Sequence, residues 1–156
     1  MSVQKRTMTQ EIVDYTEGFT FDKIPSDVLG ELTRCLVDGF GVILSGVPAT
    51  SSRIIQQYIS ESTTIGKSSV LGTSINTSSE LAALANGVAG HAEDFDDTQL
   101  STSPDRLYGL LTHPTTPVLA ATLGVAQEIG ASGKDFLTAM CAGFEVECKI
   151  AEAINP

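Results

Sequence analysis

Positive charge is scarce in this chain of 156 residues, which has 9 lysines and arginines against 19 aspartates and glutamates and a net charge of −10. Proteins that bind nucleic-acid phosphates need a basic surface, so the charge balance argues against a nucleic-acid partner. Long apolar runs are absent too, because none approaches the ~18 residues of a membrane-spanning helix. The first ten residues lack the apolar core of a signal peptide. We therefore expect a cytoplasmic protein that does not enter the membrane.

Cysteine is limited to Cys35, Cys141 and Cys148, whose spacing fits neither a zinc site nor a redox pair. Cys141 and Cys148 share one side of a predicted helix, and we expect them to act as buried small hydrophobes in a reducing compartment. With 42% hydrophobic and 18% charged residues, the chain is long enough for one packed domain over residues 1–156.

Helical patterns follow one another along the chain and predict an all-α fold. Apolar residues recur at spacings of three and four. Pro117 falls in a first turn, Gly130 follows a last turn, and Ser132 with Asp135 resembles a capping box. Only residues 67–73 look extended. The expected helices cover residues 9–18, 25–46, 50–59 and 116–129, a segment from 77 into the acidic motif described next, and a segment from 132 to near the end.

One segment concentrates groups that transfer protons. It runs His91-Ala-Glu-Asp-Phe-Asp-Asp-Thr98 and is followed, after a loop, by His113-Pro114. The two histidines in it are the only ones in the chain. Imidazoles and carboxylates are the commonest general acids and bases, so this segment is the first candidate for an active site.

The helix before this motif predicts where its side chains lie. Thr77 and Glu80 read as a capping box, and at ~3.6 residues per turn His91, Asp94 and Thr98 share one stripe with Gly87. On this reading Asp96 faces solvent. The glycines at 87 and 90 would let another helix or a ligand approach closely. The predicted buried face consists of Leu81, Leu84, Ala85, Val88, Ala92 and Phe95.

Less specific readings of the same residues stay open. His91 fits a core histidine with its hydrogen bonds satisfied, His113 fits a loop residue that precedes a turn, and the acidic run fits a solvated helix end. Four acids at a helix C-terminus oppose the helix dipole, however, so a site is one explanation for them. A divalent metal is another, but no recognised ligand spacing is present, and no metal site is predicted.

The motif resembles the N-terminal helical domain of the MmgE/PrpD family, which includes 2-methylcitrate dehydratase, cis-aconitate decarboxylase and iminodisuccinate epimerase. The resemblance rests on residues 91–98, His113-Pro114 and Pro117-Val-Leu-Ala-Ala121, and it covers nearly the whole chain. Weaker similarity extends over residues 24–46, Asn86-Gly87 and 143–146.

The resemblance implies specific roles for residues of the motif. Asp94 and Thr98 match an aspartate and a threonine that line the decarboxylase pocket, and His113 matches the histidine before proline. We expect His113 and Asp94 to be catalytic, and Thr98, His91 and Arg106 to bind substrate. The family moves protons beside a carboxylate without a metal or an organic cofactor, so the implied substrate is a small carboxylic acid.

The resemblance also implies that these residues are the N-terminal part of a longer enzyme, without its C-terminal lid domain. The loop from Thr98 to His113 is longer than in the decarboxylase, which leaves the substrate open. A tricarboxylate needs cations around it, and Arg106 is the only arginine near the motif. We therefore expect the isolated chain to be inactive, and we expect a homodimer, as is usual in the family.

Three hypotheses about function follow. The first is the N-terminal part of a cofactor-independent lyase, a dehydratase or decarboxylase similar to 2-methylcitrate dehydratase. The second is an epimerase or isomerase of the same family. The third is a non-catalytic, truncated helical module that binds a partner chain.

Overall fold

The computed structural model describes residues 6–100 and 112–154. Within these ranges the chain forms helices and one small hairpin, and the predicted all-α class is confirmed. No helix in these ranges is long and apolar enough to cross a membrane. The helices are α1 (Met8–Gly18), α2 (Ser26–Gly46), α3 (Thr50–Glu61), α4 (Ser79–His91), α5 (Thr115–Ile129) and α6 (Gly133–Ile154), with a 3-10 turn at Phe21–Lys23 and strands β1 (Ser68–Ser69) and β2 (Asn76–Thr77).

Helices α4 and α5 pack against each other at the centre, with α2 and α3 against α4 and with α6 against α5. Glycines permit these crossings, because a Cβ at Gly46 would overlap the carbonyl oxygen of Ala89 and a Cβ at Gly90 would overlap Thr116. Of the two glycines predicted to allow a close approach, Gly90 does so to a helix, whereas a Cβ at Gly87 would make an ordinary contact with Ala120 Cβ at 3.9 Å. The main core between the helices contains Leu32, Ile43, Ala89, Val118, Leu119 and Met140.

Several helix ends follow the signals in the sequence. Gly130 after α5 takes a left-handed conformation (φ 67°), and its amide donates to the carbonyl of Ala126. The predicted capping box at α6 is present, since Ser132 Oγ accepts from the Asp135 amide at 3.2 Å and Asp135 Oδ2 accepts from the Ser132 amide at 3.3 Å. Helix α5 begins at Thr115, one residue earlier than predicted.

The extended segment predicted at 67–73 contains β1, which pairs antiparallel with β2. Thr77 belongs to β2, so the capping box predicted at Thr77 is wrong, and Ser78 is the N-cap residue of α4. Asn86 on α4 holds the hairpin. Its Oδ1 accepts from the Leu71 amide at 2.9 Å and its Nδ2 donates to the Ser69 carbonyl at 3.0 Å.

The face that α4 buries matches the predicted one at Ala85 but differs from it at the larger residues. Leu84 is 46% exposed, and Phe95, just past the helix, is 68% exposed. Small side chains face the neighbouring helices instead, because α2 and α5 cross α4 too closely for a leucine. The helix also ends at His91, so no helical stripe reaches Asp94 and Thr98. The buried residues of α4 are Ala82, Ala85, Asn86, Ala89 and Gly90.

The three cysteines are free and only partly buried, whereas Cys141 and Cys148 were expected to be fully buried. Burial raises the pKa of all three thiols. For Cys148, burial and then the nearby carboxylate of Glu147 raise the pKa to about 11. These thiols are therefore protonated at neutral pH.

Candidate active site

The turn after α4 gives the acidic motif its geometry. Asp94 adopts a left-handed conformation, with φ of 56°, which aspartate tolerates better than most residues because of its short polar side chain. The chain bends at Asp94, three residues after the helix ends. As a result, the side chain of Asp94 is 77% exposed while that of Asp96 is 2% exposed. The prediction that Asp96 faces solvent is wrong, because it assumed that the helix continues.

Asp96 lies between the two histidines. Its Oδ1 and Oδ2 are 3.0 and 3.2 Å from His91 Nδ1. The same Oδ1 is 3.4 Å from His113 Nδ1, and so is the main-chain oxygen of Asp96. The two imidazoles meet edge to face, with ring centroids 4.7 Å apart. One buried carboxylate therefore contacts both histidines of the chain.

Asp94 contacts the other side of His113. Its Oδ1 lies 3.8 Å from His113 Nε2, so this imidazole has a carboxylate near each of its ring nitrogens. We refer to His91, Asp94, Asp96 and His113 as the histidine cluster. The structure thus brings together three of the five predicted site residues and adds Asp96, which the sequence pattern assigned to solvent.

Asp97 connects the motif to α5. Its Oδ1 accepts from the Thr115 amide at 3.1 Å and its Oδ2 accepts from Thr115 Oγ1 at 2.6 Å. A carboxylate at this place satisfies a free amide of the first turn and suits the positive end of the helix dipole. Because His113 lies two residues before Thr115, this bond fixes His113 relative to the motif.

The ends of the segment between the motif and α5 are also held. The Gln99 amide donates to the Thr112 carbonyl at 2.9 Å, and Thr112 Oγ1 donates to Gln99 Oε1 at 3.0 Å. Gln99 Nε2 reaches the Cys148 carbonyl on α6 at 3.4 Å. Two other predicted site residues lie nearby in sequence. Thr98 is exposed, and no hydrogen bond joins its side chain to the cluster in the part of the chain that the structure describes; Arg106 lies outside the described residues.

An open cavity of about 370 Å³ lies over the cluster. Helix α6 contributes Glu147 to its wall, on the same side as Gly143 and Ile150. At helical spacing, Gly143, Glu147 and Ile150 lie on one side of α6, so the Glu147 carboxylate stands on a side that is otherwise apolar. A carboxylate in such a position is a sequence signal for a buried functional group. Among the described residues, the cavity is lined by Gly87, His91, Asp96, Thr112, His113, Thr116, Pro117 and Glu147.

Two groups of the cavity titrate away from their ordinary range. The pKa of His91 is raised, first by its hydrogen bond to Asp96, then by the charge of Asp96 and that of Asp94. The pKa of Glu147 is raised by burial and by the charge of Asp97. Both shifts favour the protonated form, so the site retains protons at higher pH than free side chains would.

The donor set of the cluster also suits a divalent cation. One ligand atom from each of the four residues lies within 4.8 Å of the others, and imidazole with carboxylate is a common set for transition metals. Binding would require His91 Nδ1 and Asp96 to give up their mutual hydrogen bond. The described geometry is that of a hydrogen-bonded acid–base cluster.

Known proteins resemble this chain over almost its whole length. The model of the MmgE/PrpD N-terminal domain matches residues 10–156. The cis-aconitate decarboxylase of Homo sapiens is 27% identical over 150 residues, which cover 93% of this chain and 29% of that protein. The cis-aconitate decarboxylase-like protein oryM of Aspergillus oryzae is 27% identical over 164 residues, covering 98% of this chain and 32% of that protein. The Mus musculus decarboxylase is 25% identical over 150 residues, covering 93% and 29%.

The chain spans about three tenths of the length of these curated relatives. The match to the domain model includes both α4 and the whole histidine cluster. This chain therefore belongs to the MmgE/PrpD family and carries its N-terminal domain.

Proposed function

We propose that these residues form the N-terminal part of a cofactor-independent lyase, a dehydratase or decarboxylase that acts on a small di- or tricarboxylate by proton transfer. The observation that carries the proposal is that His91, Asp96 and His113 line one cavity and that Asp94 lies against His113 in the same cluster. Membership of a family whose relatives include cis-aconitate decarboxylases supports the same reaction class.

His113 is the proposed acid and base. Histidine is the side chain that most often serves as a general acid or base in enzymes. In a dehydration, Nε2 would take the proton from the carbon beside a carboxylate, the C–H electron pair would form a carbon–carbon double bond as the C–O bond breaks, and the resulting imidazolium would return the proton to the leaving hydroxide to give water. In a decarboxylation, the C–C bond to one carboxylate would break, that carboxylate would leave as CO2, and the imidazolium would protonate the carbon that keeps the electron pair.

The other cluster residues would hold the substrate and the base in place. Asp94, 3.8 Å from His113 Nε2, would orient the protonated imidazole or position the substrate. His91 is 57% exposed and its raised pKa keeps it partly cationic, so it would attract a substrate carboxylate. Thr98 and Arg106 stay predicted substrate contacts, the first through its hydroxyl and the second through its guanidinium.

The proposal is tested by His113→Gln and Asp94→Asn in the full-length enzyme, assayed with 2-methylcitrate and cis-aconitate. We expect each change to reduce kcat by ~10²–10⁴, the usual contribution of a positioned acid or base, with unchanged circular dichroism. The matched control is Glu93→Gln, which removes one exposed carboxylate from the same turn and should leave turnover intact. Normal turnover by His113→Gln would remove this residue from the mechanism.

Product analysis in deuterated water separates the lyase from the epimerase of the same family. A lyase releases water or CO2 from its substrate. Deuterium at an inverted centre, with no water or CO2 lost, would establish an epimerase and overturn the lyase assignment.

A further inference from the structure

We propose that Asp96 is a positioning residue of this site, whose buried carboxylate fixes the orientation and the tautomer of both His91 and His113. The proposal deepens and rests on the proposed function, since it names the residue that decides which nitrogen of His113 is basic. The orientation and the tautomers of the two imidazoles can be measured whichever reaction the enzyme catalyses.

The burial of Asp96 is the first argument. A carboxylate that is 2% exposed is costly to bury unless hydrogen bonds compensate for its lost hydration. The described donors that face its oxygens are the Nδ1 atoms of His91 and His113, at 3.0–3.4 Å. The neighbouring Asp97 already serves the start of α5, so helix capping does not explain the burial of Asp96. The contacts with the two imidazoles explain why this carboxylate is buried.

The tautomers follow from the chemistry of the acceptors. An ionised carboxylate and a main-chain carbonyl can only accept hydrogen bonds. His113 Nδ1 faces one of each from Asp96, both at 3.4 Å, whereas the Asp94 carboxylate lies 3.8 Å from Nε2, so the shorter contacts favour a proton on Nδ1. In the neutral ring, Nε2 is then the unprotonated, basic nitrogen, and it lies on the side of Asp94. The same reasoning places a proton on His91 Nδ1. A carboxylate that sets the tautomer of a catalytic imidazole is the logic of the serine-protease triad.

Three other acidic groups lie near the imidazoles, and their charges differ. Asp94 and Asp97 lie on the turn, and Glu147 faces the cavity from α6. Asp94 and Asp97 add negative potential, whereas the raised pKa of Glu147 keeps that carboxyl neutral to higher pH. Asp96 differs from all three because it alone contacts both rings at Nδ1.

The test is nuclear magnetic resonance of this chain with ¹⁵N-labelled histidine rings. Because the sequence has two histidines, the spectrum contains only four ring nitrogens, and His91→Gln assigns them. At a pH above both titrations, we expect Nδ1–H in both rings, the opposite of the Nε2–H form that free imidazole side chains prefer. Predominant Nε2–H in both rings of the unaltered chain would overturn the proposal, and this measurement requires no variant at Asp96 to fold.

The variant Asp96→Asn then tests whether the Asp96 carboxylate is the cause of these tautomers. The amide can donate to an unprotonated Nδ1, so we expect a mixture of tautomers and a His91 titration midpoint that falls toward ~6.5. Glu93→Gln, with the same change in charge on the same turn, should retain the midpoints and tautomers of the unaltered chain. If the Asp96→Asn variant keeps the tautomers and the titration midpoints of the unaltered chain, Asp96 does not position the two imidazoles.

The catalytic consequence is measured in the full-length enzyme. We expect Asp96→Asn to lower kcat by ~10²-fold or more and to move the alkaline limb of the pH profile to lower pH, because the loss of the Asp96 charge lowers the pKa of His91, which in the proposed function attracts the substrate carboxylate in its protonated form. A structural role alone would not move that limb. An active His113→Gln variant would refute the proposed function, whatever result the Asp96→Asn variant gives. An inactive His113→Gln variant, together with an Asp96→Asn variant whose pH profile is unshifted, would refute only the inference about Asp96.

Discussion

Two adjacent aspartates of the motif have separate tasks. Asp96 contacts the imidazoles of His91 and His113, and Asp97 binds the first residue of α5. The difference depends on the left-handed conformation of Asp94, which decides which side chain points inward after the helix ends. A helical wheel extended past His91 cannot reproduce this bend. Sequence reasoning therefore found the histidine cluster but assigned its central carboxylate to solvent.

At this scale we predict that Asp97→Ala destabilises the fold. It removes the acceptors of the Thr115 amide and of Thr115 Oγ1, which are 3.1 and 2.6 Å from the carboxylate. Loss of a capping acceptor costs about 0.5–2 kcal/mol, and these bonds are made to a charged group. We expect a decrease of about 2 kcal/mol in the free energy of unfolding, measured by urea denaturation.

Glu93→Ala is the matched control for Asp97→Ala. Glu93 is exposed, and surface substitutions of this kind change stability by about 0.5 kcal/mol or less. Equal stabilities of the two variants would show that the bonds to Thr115 do not hold the start of α5.

The positions of the helices were largely predictable, because each has a periodic apolar side and several have recognisable ends. The second strand was not, since Asn76-Thr77 is too short to show a pattern and is fixed by pairing with β1. The buried side of α4 was predicted incorrectly because hydropathy favours leucine over alanine and glycine. The close crossings at Gly46 and Gly90 select small residues, and these distances appear only when the helices are assembled.

This element-scale interpretation predicts that two glycines of α2 respond oppositely to alanine. A Cβ at Gly46 would overlap the Ala89 carbonyl of α4, a rigid main-chain group, whereas a Cβ at Gly41 meets nothing within 4 Å. Overpacking costs about 1–3 kcal/mol or more, so Gly46→Ala should lower the free energy of unfolding by about 3 kcal/mol. Gly41→Ala should raise it by about 0.5–1 kcal/mol through helix propensity.

Urea denaturation and circular dichroism of both variants measure this difference. The Gly41→Ala variant controls for the general effect of alanine in this helix. A Gly46→Ala variant as stable as Gly41→Ala would mean that α2 and α4 can separate without cost, and the close crossing would then not determine the buried side of α4.

The distribution of charge matters at the scale of the whole molecule. The chain carries a net charge of −10, and the residues that line the cavity include two histidines and two carboxylates but no lysine or arginine in the ranges that the structure describes. A tricarboxylate brings further negative charge to this surface. In the proposed enzyme, the necessary cations must come from Arg106 or from residues outside this chain, and the relatives are about three times longer.

We therefore predict that the chain of 156 residues neither turns over nor binds a tricarboxylate tightly. Repulsion by the negative surface should keep the Kd for cis-aconitate weaker than ~1 mM, which corresponds to about −4.1 kcal/mol. The histidine resonances used above report binding directly, with acetate at equal ionic strength as the control. Added sodium chloride at ~0.5 M would screen the repulsion between the ligand and the exposed negative charges. Because repulsion is then reduced, the weak binding of cis-aconitate should not become weaker in salt. A saturable titration well below 1 mM, abolished by salt, would instead show that this domain supplies its own cationic site, with Arg106 as the first residue to replace.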